Sequence, residues 1–287
     1  MSMATAQPVS GDMIEGEFEV SSSTALAALN ASEIDIQIAT ANRYPRSIKR
    51  FKDQVLELAT LDEETAASMF YKLPRGGKFL EGPSVRLAEV AAASYKHLRF
   101  GARIISVDDR FITAQGFCFD LENNIASAVE VRRRITDKYG KRFNDDMIQV
   151  TGNAASSIAL RNAIFKIIPM AYIKPAFEQA KLTTLGKNKT MAQRRDDMLS
   201  WWKKAGATEQ QLFDLLGVSG IEDLGNEELL TLRGLATAVK DGEITLETAL
   251  AKPEQEGAGS KVGASSVNDK LKAKASDSEQ ASSPQDQ

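Results

Sequence analysis

The segment from Leu98 to Ile135 constrains the fold most, because the spacing of its hydrophobic residues changes there from a helical period to a period of two. Three runs with this spacing predict strands: Leu98–Val107, Arg110–Phe119 and Ile125–Ile135. The connections between them are short: Asp108-Asp109, and Asp120-Leu121-Glu122-Asn123-Asn124. Since connections of this length join antiparallel neighbours, the pattern predicts a three-stranded antiparallel β-meander.

Helical patterns lie on both sides of these strands. Four helices are expected: one from Tyr44, one at Asp62–Tyr71, one from Pro83 to about Lys96, and one at Asn153–Ile168. The glycine-containing stretch at residues 73–79 is expected to be a loop. The order predicts an α+β core at residues 41–180, in which the meander packs against helices.

The remaining segments differ in composition from this core. Residues 1–40 are Ser/Ala/Thr-rich and acidic, which predicts a flexible arm, and residues 181–190 have the composition of a linker. Residues 191–252 predict a small helical module, with glycines at 206, 217 and 242 after its helices. Residues 253–287 are rich in Gly, Ser, Lys, Asp and Gln, which predicts a disordered tail.

Charge is distributed unevenly along the chain. Residues 1–40 hold six acidic side chains and no Lys or Arg, whereas residues 41–204 hold 29 Lys and Arg against 18 Asp and Glu. Residues 205–287 are acidic again, with 7 Lys and Arg against 15 Asp and Glu. A basic body between acidic arms favours a polyanion-binding surface, and uneven solvation of an ordinary domain remains the alternative.

Several classes of chemistry are disfavoured by counts and spacing. A single His97 and a single Cys118 exclude metal sites built on His and Cys, and Cys118 in its apolar strand predicts a buried, inert thiol. The sequence around Gly77 and Lys78 lacks the spacing and the Ser/Thr of a phosphate-binding loop, so no nucleotide cofactor or metal is expected. The chain has no apolar run of membrane-spanning length and no secretory signal, which favours the cytoplasm.

Three carboxylates keep a nuclease open as an alternative. Asp108, Asp120 and Glu130 lie on or beside predicted strands, and a carboxylate-metal nuclease needs two or three acids that converge. Asp108 and Asp120 fall in separate turns and arginines follow Glu130, so ordinary turn-forming acids explain them better.

Basic residues in the middle of the chain indicate an anion-binding groove. The third strand ends in Arg132, Arg133 and Arg134, and alternation places the first and last of these on one face. The other candidates lie in the following loop (Lys138, Lys141 and Arg142), on the next helix (Arg161 and Lys166) and on the glycine loop (Arg75 and Lys78). A sheet edge protected by charge is the alternative explanation for the arginine run.

These elements resemble a known family. The helix that begins Gly82-Pro83-Ser84-Val85-Arg86-Leu87-Ala88-Glu89, the three strands, and the segment Ala159-Leu160-Arg161-Asn162-Ala163-Ile164-Phe165-Lys166 follow in the order found in phage single-strand annealing proteins. The resemblance is to the Redβ/RecT and Erf/Sak groups and covers about residues 44–180. It implies a β-β-β-α annealing core.

The resemblance also implies a function and partners. It implies ATP-independent annealing of complementary DNA strands by an oligomeric ring or filament, in the cytoplasm of a bacterial host. The implied DNA-binding residues are Arg161 and Lys166 first, then Arg132, Arg134, Lys138, Lys141, Arg142, Arg75 and Lys78. The module at 191–252 is expected to dock a phage exonuclease or a host single-strand-binding protein. A passive single-strand-binding protein, a metal-dependent nuclease and a phage structural protein remain alternatives.

Overall fold

The computed structural model describes residues 23–75, 77–186 and 189–252, and these residues form a mixed α+β fold, as predicted. The helices are α1 (Ser23–Arg43), α2 (Ile48–Ala59), α3 (Glu63–Ser68), α4 (Val85–Tyr95), α5 (Asp145–Ile167), α6 (Met170–Thr184), α7 (Met191–Lys204), α8 (Glu209–Leu216), α9 (Asn226–Lys240) and α10 (Leu246–Leu250). The strands are β1 (Phe70–Arg75), β2 (Lys78–Pro83), β3 (Leu98–Val107), β4 (Phe111–Asp120) and β5 (Ile125–Arg134).

Strands β3, β4 and β5 form one antiparallel sheet in sequence order, with β4 in the centre. The face of this sheet that packs against α5 presents alternate residues of β4: Ile112, Ala114, Gly116 and Cys118. The opposite face, called the open face here, presents the other residues of β4 and their paired neighbours on β3 and β5. On β4 these are Phe111, Thr113, Gln115, Phe117 and Phe119.

Helix α5 lies unusually close to the centre of the sheet. A Cβ atom added at Gly116 would overlap the main-chain carbonyl of Ala159, so only glycine fits at this position. Ala155 and Ala159 are fully buried against Ala114, which leaves no larger side chain between helix and strand. Small residues therefore form the face of α5 that packs against the centre of the sheet.

The stretch expected to be a loop at residues 73–79 is a β-hairpin. β1 pairs with β2 from Phe70 opposite Pro83 to Arg75 opposite Lys78, and the turn includes Gly77 at φ +77°. The preceding helix ends at Ser68 instead of Tyr71, because Met69 and Phe70 enter the core. Burial against distant parts of the chain favours strands here, over the helix and loop that the local sequence indicated.

Other boundaries differ from expectation as well, and α2 begins at Ile48 instead of Tyr44. Residues 23–40, expected in the flexible arm, belong to α1, in which alanines favour the helical state. Helix α5 begins at Asp145 instead of Asn153, because Asn144 caps it by accepting a hydrogen bond from the Met147 N–H. Helix α6 extends through Thr184 into the expected linker, whereas the remainder of the arm (1–22) and the tail (253–287) lie outside the described residues.

Helices α7 to α10 have a hydrophobic core of their own around Trp202, and they also pack against the hairpin. The Thr237 hydroxyl donates to the main-chain oxygen of Ala67, and Lys72 donates to the Thr231 hydroxyl at 3.0 Å. A Cβ at Gly234 would lie 2.7 Å from the Lys72 side chain, so α9 approaches β1 closely. Within the described ranges, no helix combines the length and apolar character that crossing a bilayer requires.

Candidate nucleic-acid interface

Arg161, the first candidate from the sequence, is buried instead of facing solvent. Its exposed fraction is 8%, and it forms an ion pair with Glu243, which is 6% exposed. Its guanidinium also lies over the ring of Tyr71, 4.5 Å from the centroid. The expectation that Arg161 lines an open groove is therefore wrong, because the turn after α9 covers this side of α5.

The turn after α9 completes a polar cluster around this ion pair. Arg133 donates from Nη2 to the main-chain oxygen of Glu243 at 2.9 Å. Burial raises the pKa of Glu243, and the adjacent Arg161 guanidinium offsets only part of that increase. Burial likewise raises the pKa of Asp241, whose Oδ2 atom has no hydrogen-bond partner among the described residues. These groups connect the C-terminal helices to the core.

Arg132 and Arg134, in contrast, are exposed on the open face. The Cα atoms of Arg134 and Arg132 are paired with those of Phe111 and Thr113 on β4. The guanidinium carbon of Arg132 lies 3.9 Å from the centroid of the Phe111 ring, with those of Arg110 and Arg134 at 5.8 and 5.9 Å. Three guanidinium groups therefore surround one aromatic ring.

The loop after β5 adds further cations to this end of the sheet. Arg142 forms an isolated β-bridge with Thr136 and donates to the main-chain oxygen of Asp108 at 2.7 Å. The basic cluster comprises the exposed residues Arg110, Arg132, Arg134, Lys138, Lys141 and Arg142. Four neighbouring carboxylates, at positions 108, 109, 130 and 137, still leave it with a positive net charge.

Asp108 organises the turn at the start of β4. It accepts main-chain hydrogen bonds from Arg110 at 2.8 Å and Phe111 at 2.7 Å, and these bonds together with Arg132 lower its pKa. Its ion pair with Arg132 measures 3.2 Å, and both side chains are about half exposed to solvent. Such an exposed pair opposes anion binding only weakly.

The other three sequence candidates are exposed but lie on separate elements. Lys166 is in the last turn of α5, whereas Arg75 and Lys78 face each other across the β1–β2 hairpin. Among the described residues, no hydrogen bond, ion pair or cation–π contact connects these three to the basic cluster. The structure thus brings together five of the nine predicted residues.

Sequence reasoning missed four residues of the open face that complete its chemistry. Arg99 and Arg103 on β3 pair with Phe119 and Gln115 of β4, so they share the face of Arg132. Phe111 and Arg110 adjoin the predicted arginines. Alternation along each strand gives the residues that share a face within that strand. Placing Arg99 and Arg103 on the same face as Arg132 also requires the register between the strands, which the sequence alone does not give.

The three carboxylates of the nuclease alternative do not converge. Asp108 and Asp120 lie at opposite ends of β4, about 30 Å apart for a ten-residue strand. Burial alone would raise the pKa of Asp120, but hydrogen bonds from Arg46 and Asn123 lower it below the usual value. No group of three His, Cys, Asp or Glu residues suited to a metal ion occurs in the described part of the chain.

Cys118 is the other residue considered for chemistry. It is fully buried on the α5 side of β4, as predicted, and burial raises the pKa of its thiol to about 12. A thiol with this pKa is protonated at neutral pH and is a poor nucleophile.

No protein-family model, curated protein or solved structure matches this chain.

Proposed function

We propose that this protein binds single-stranded DNA and anneals complementary strands without ATP, in phage homologous recombination. In this proposal β3, β4, β5 and α5 are the β-β-β-α annealing core of the Redβ/RecT and Erf/Sak superfamily. The observation that carries the proposal is the arrangement of Arg110, Arg132 and Arg134 around the ring of the half-buried Phe111.

Guanidinium groups beside an aromatic ring suit single-stranded nucleic acid. Arginine side chains bind phosphates through charge-assisted hydrogen bonds, and an aromatic ring stacks on bases of any sequence. The ion pair between Arg132 and Asp108 is exposed and hence easily exchanged for a phosphate. Lys138, Lys141 and Arg142 extend the positive surface beyond the end of β5.

Annealing forms no covalent bond, so it requires a binding surface and no nucleophile. The barrier to pairing comes from repulsion between two phosphate backbones and from structure within each strand. Fixed cations reduce the repulsion, and an extended strand loses its self-structure. Each neutralised phosphate contributes about −0.7 to the slope of log affinity against log salt for single strands.

Assembly of copies into a ring or filament belongs to the same proposal. Repeated sites along one strand would allow a modest affinity for each copy, because later contacts form at high effective concentration. The C-terminal helices are the proposed docking site for a phage exonuclease or a host single-strand-binding protein.

A strand-pairing assay tests the proposal directly. Labelled complementary oligonucleotides should pair faster with the protein than in a salt-matched blank, in the absence of ATP. Slower pairing despite strand binding would identify a passive single-strand-binding protein. Cleavage of labelled DNA that requires magnesium or manganese would identify a nuclease, and absence of any gel shift at low salt would reject DNA binding altogether.

A further inference from the structure

A groove with a volume of about 860 Å³ separates α1 from the open face of the sheet, at the end of β4 away from the basic cluster. Ile34 and Ile38 of α1 line one wall. Phe117 and Phe119 of β4 line the other, and Arg99 and Arg103 of β3 border it. From Phe111 to Phe119 the strand extends roughly 26 Å, so the groove and the basic cluster are distinct places on one face.

The aromatic wall of the groove is partly accessible to solvent. Phe119 is 42% exposed, and its ring centroid lies 5.8 Å from that of Phe117. Across the strands, Phe117 is paired with Gly101 and Ala128. A Cβ at Gly101 would lie 2.8 Å from the Phe117 ring, so this glycine gives the ring room beside β3. Phe119 is thus available for stacking, with the Phe117 ring packed beside it.

Arg99 supplies a charge without a partner in this groove. Among the described residues its guanidinium forms no ion pair or hydrogen bond, and its Nη1 atom is shielded from solvent without a partner. A guanidinium without an acceptor is unfavourable, and an anionic oxygen in the groove would neutralise its charge. Arg103 is held against the neighbouring strand on the open face, where Gln115 Oε1 accepts from its Nη2 at 2.9 Å.

The carboxylates that border the groove are already neutralised. Arg46 forms ion pairs with Asp120 and with Glu122, the latter at 2.7 Å from Nε. The Arg46 side chain is nearly buried, and its guanidinium lies 3.9 Å from the ring centroid of Tyr95, which holds it in this position. The unpaired charges at the groove are therefore those of Arg99 and Arg103, which favour an anionic occupant.

We propose that the groove holds an unpaired base of a single-stranded nucleic acid, stacked on Phe119, with a neighbouring phosphate at Arg99. This inference rests on the proposed function and adds a base-stacking site to the phosphate-binding basic cluster. An apolar segment from a second copy would cover the aromatic rings but leave Arg99 without an acceptor. The combination of accessible rings and an unpartnered guanidinium selects a nucleotide.

The test compares an oligothymidylate with an abasic oligomer of the same length, using fluorescence anisotropy and the full chain. The two probes carry the same phosphates and differ only in bases. The wild type should bind the oligothymidylate at least about fivefold more tightly, the equivalent of one stacked base. Phe119→Ala should reduce this preference about fivefold, the contribution of one stacked base, without changing the affinity for the abasic oligomer.

Arg99→Gln provides the second arm of the experiment. It should weaken binding of both probes and reduce the magnitude of the salt slope by about 0.7, because one phosphate contact is lost. Phe100→Ala is the matched control for the aromatic variant, since Phe100 is 38% exposed on the opposite face of β3. Arg50→Gln on α2 is the control for the charge variant.

The outcomes distinguish this inference from the proposed function. A base preference as large as that of the wild type in a folded Phe119→Ala protein would overturn the groove site, and the basic cluster would remain the DNA surface. Loss of self-association with unchanged base preference would overturn it too, by identifying the groove as an interface between copies. Failure of the wild type to bind either probe would reject both proposals.

Discussion

The two faces of the three-stranded sheet are built from the same strands but have opposite properties. Towards α5 the face consists of small residues such as Ala114 and Gly116, and the helix approaches until its backbone touches the strand. The open face has aromatic residues, with arginines on both neighbouring strands. Tight packing on one side fixes the strands, so that the other side can present side chains at defined spacings.

The arginines also differ between the two faces of the sheet. Arg133 points toward the C-terminal helices and donates to Glu243, whereas Arg132 and Arg134 point to the open face beside Phe111. Arg161, on the helix that covers the sheet, is neutralised by Glu243. On the covered side the arginines form contacts that stabilise the fold. On the open side we expect them to bind nucleic acid.

The largest effect on stability is expected at Gly116, where α5 and β4 are in closest contact. Gly116→Val should destabilise the protein by about 3 kcal/mol or more, because the new side chain collides with the main chain at Ala159. Urea unfolding followed by circular dichroism measures this. Thr113→Val, on the open face of the same strand, should change stability by less than about 0.5 kcal/mol. Equal effects at the two positions would contradict the proposed difference in packing.

The next effect concerns the buried ion pair. Arg161→Met should destabilise the protein by about 3 kcal/mol, because Glu243 would remain buried without its partner, and leave DNA affinity of the folded protein unchanged. Lys166→Met, an exposed position on the same helix, should change stability by less than about 0.5 kcal/mol. A stable Arg161→Met protein that fails to bind oligonucleotides would instead restore Arg161 as a DNA contact.

A smaller effect, on binding alone, is expected at the open face. Arg132→Gln with Arg134→Gln should leave the unfolding midpoint unchanged and reduce the magnitude of the salt slope for oligothymidylate by about 1.4, which corresponds to two phosphates. Titrations at several salt concentrations measure the slope. An unchanged slope together with a lowered melting temperature would assign these arginines to stability.

The smallest effect is a pH dependence on the covered side. Burial raises the pKa of Asp241 in the folded state, so its ionised form destabilises the fold and stability increases as the group protonates. Asp241→Asn should therefore stabilise the protein at neutral pH, and this gain should disappear as the pH falls below the unfolded-state pKa. Thermal melts of both proteins across this range measure the difference. A gain that grows on acidification would contradict the sign.

The strands were accessible to sequence reasoning, but the hairpin was not. Strand β3 has the predicted bounds, Leu98–Val107, because alternation and short turns are local signals. The β1–β2 hairpin lies in a segment with proline, glycines and charges, and it is held by α9 from far along the chain. Because α9 is distant in the sequence, the residues near the hairpin give no sign of this contact, and their local propensities alone favoured a loop.

For the candidate site, the sequence determined which arginines share a face, since side chains of a strand alternate whatever surrounds them. It thereby placed Arg132 with Arg134 and apart from Arg133. Only the tertiary structure decided that Arg161 is covered, because its partner Glu243 lies 82 residues away. Burial and ion pairing depend on which distant surface packs against a residue, and the local sequence pattern does not indicate which surface that is.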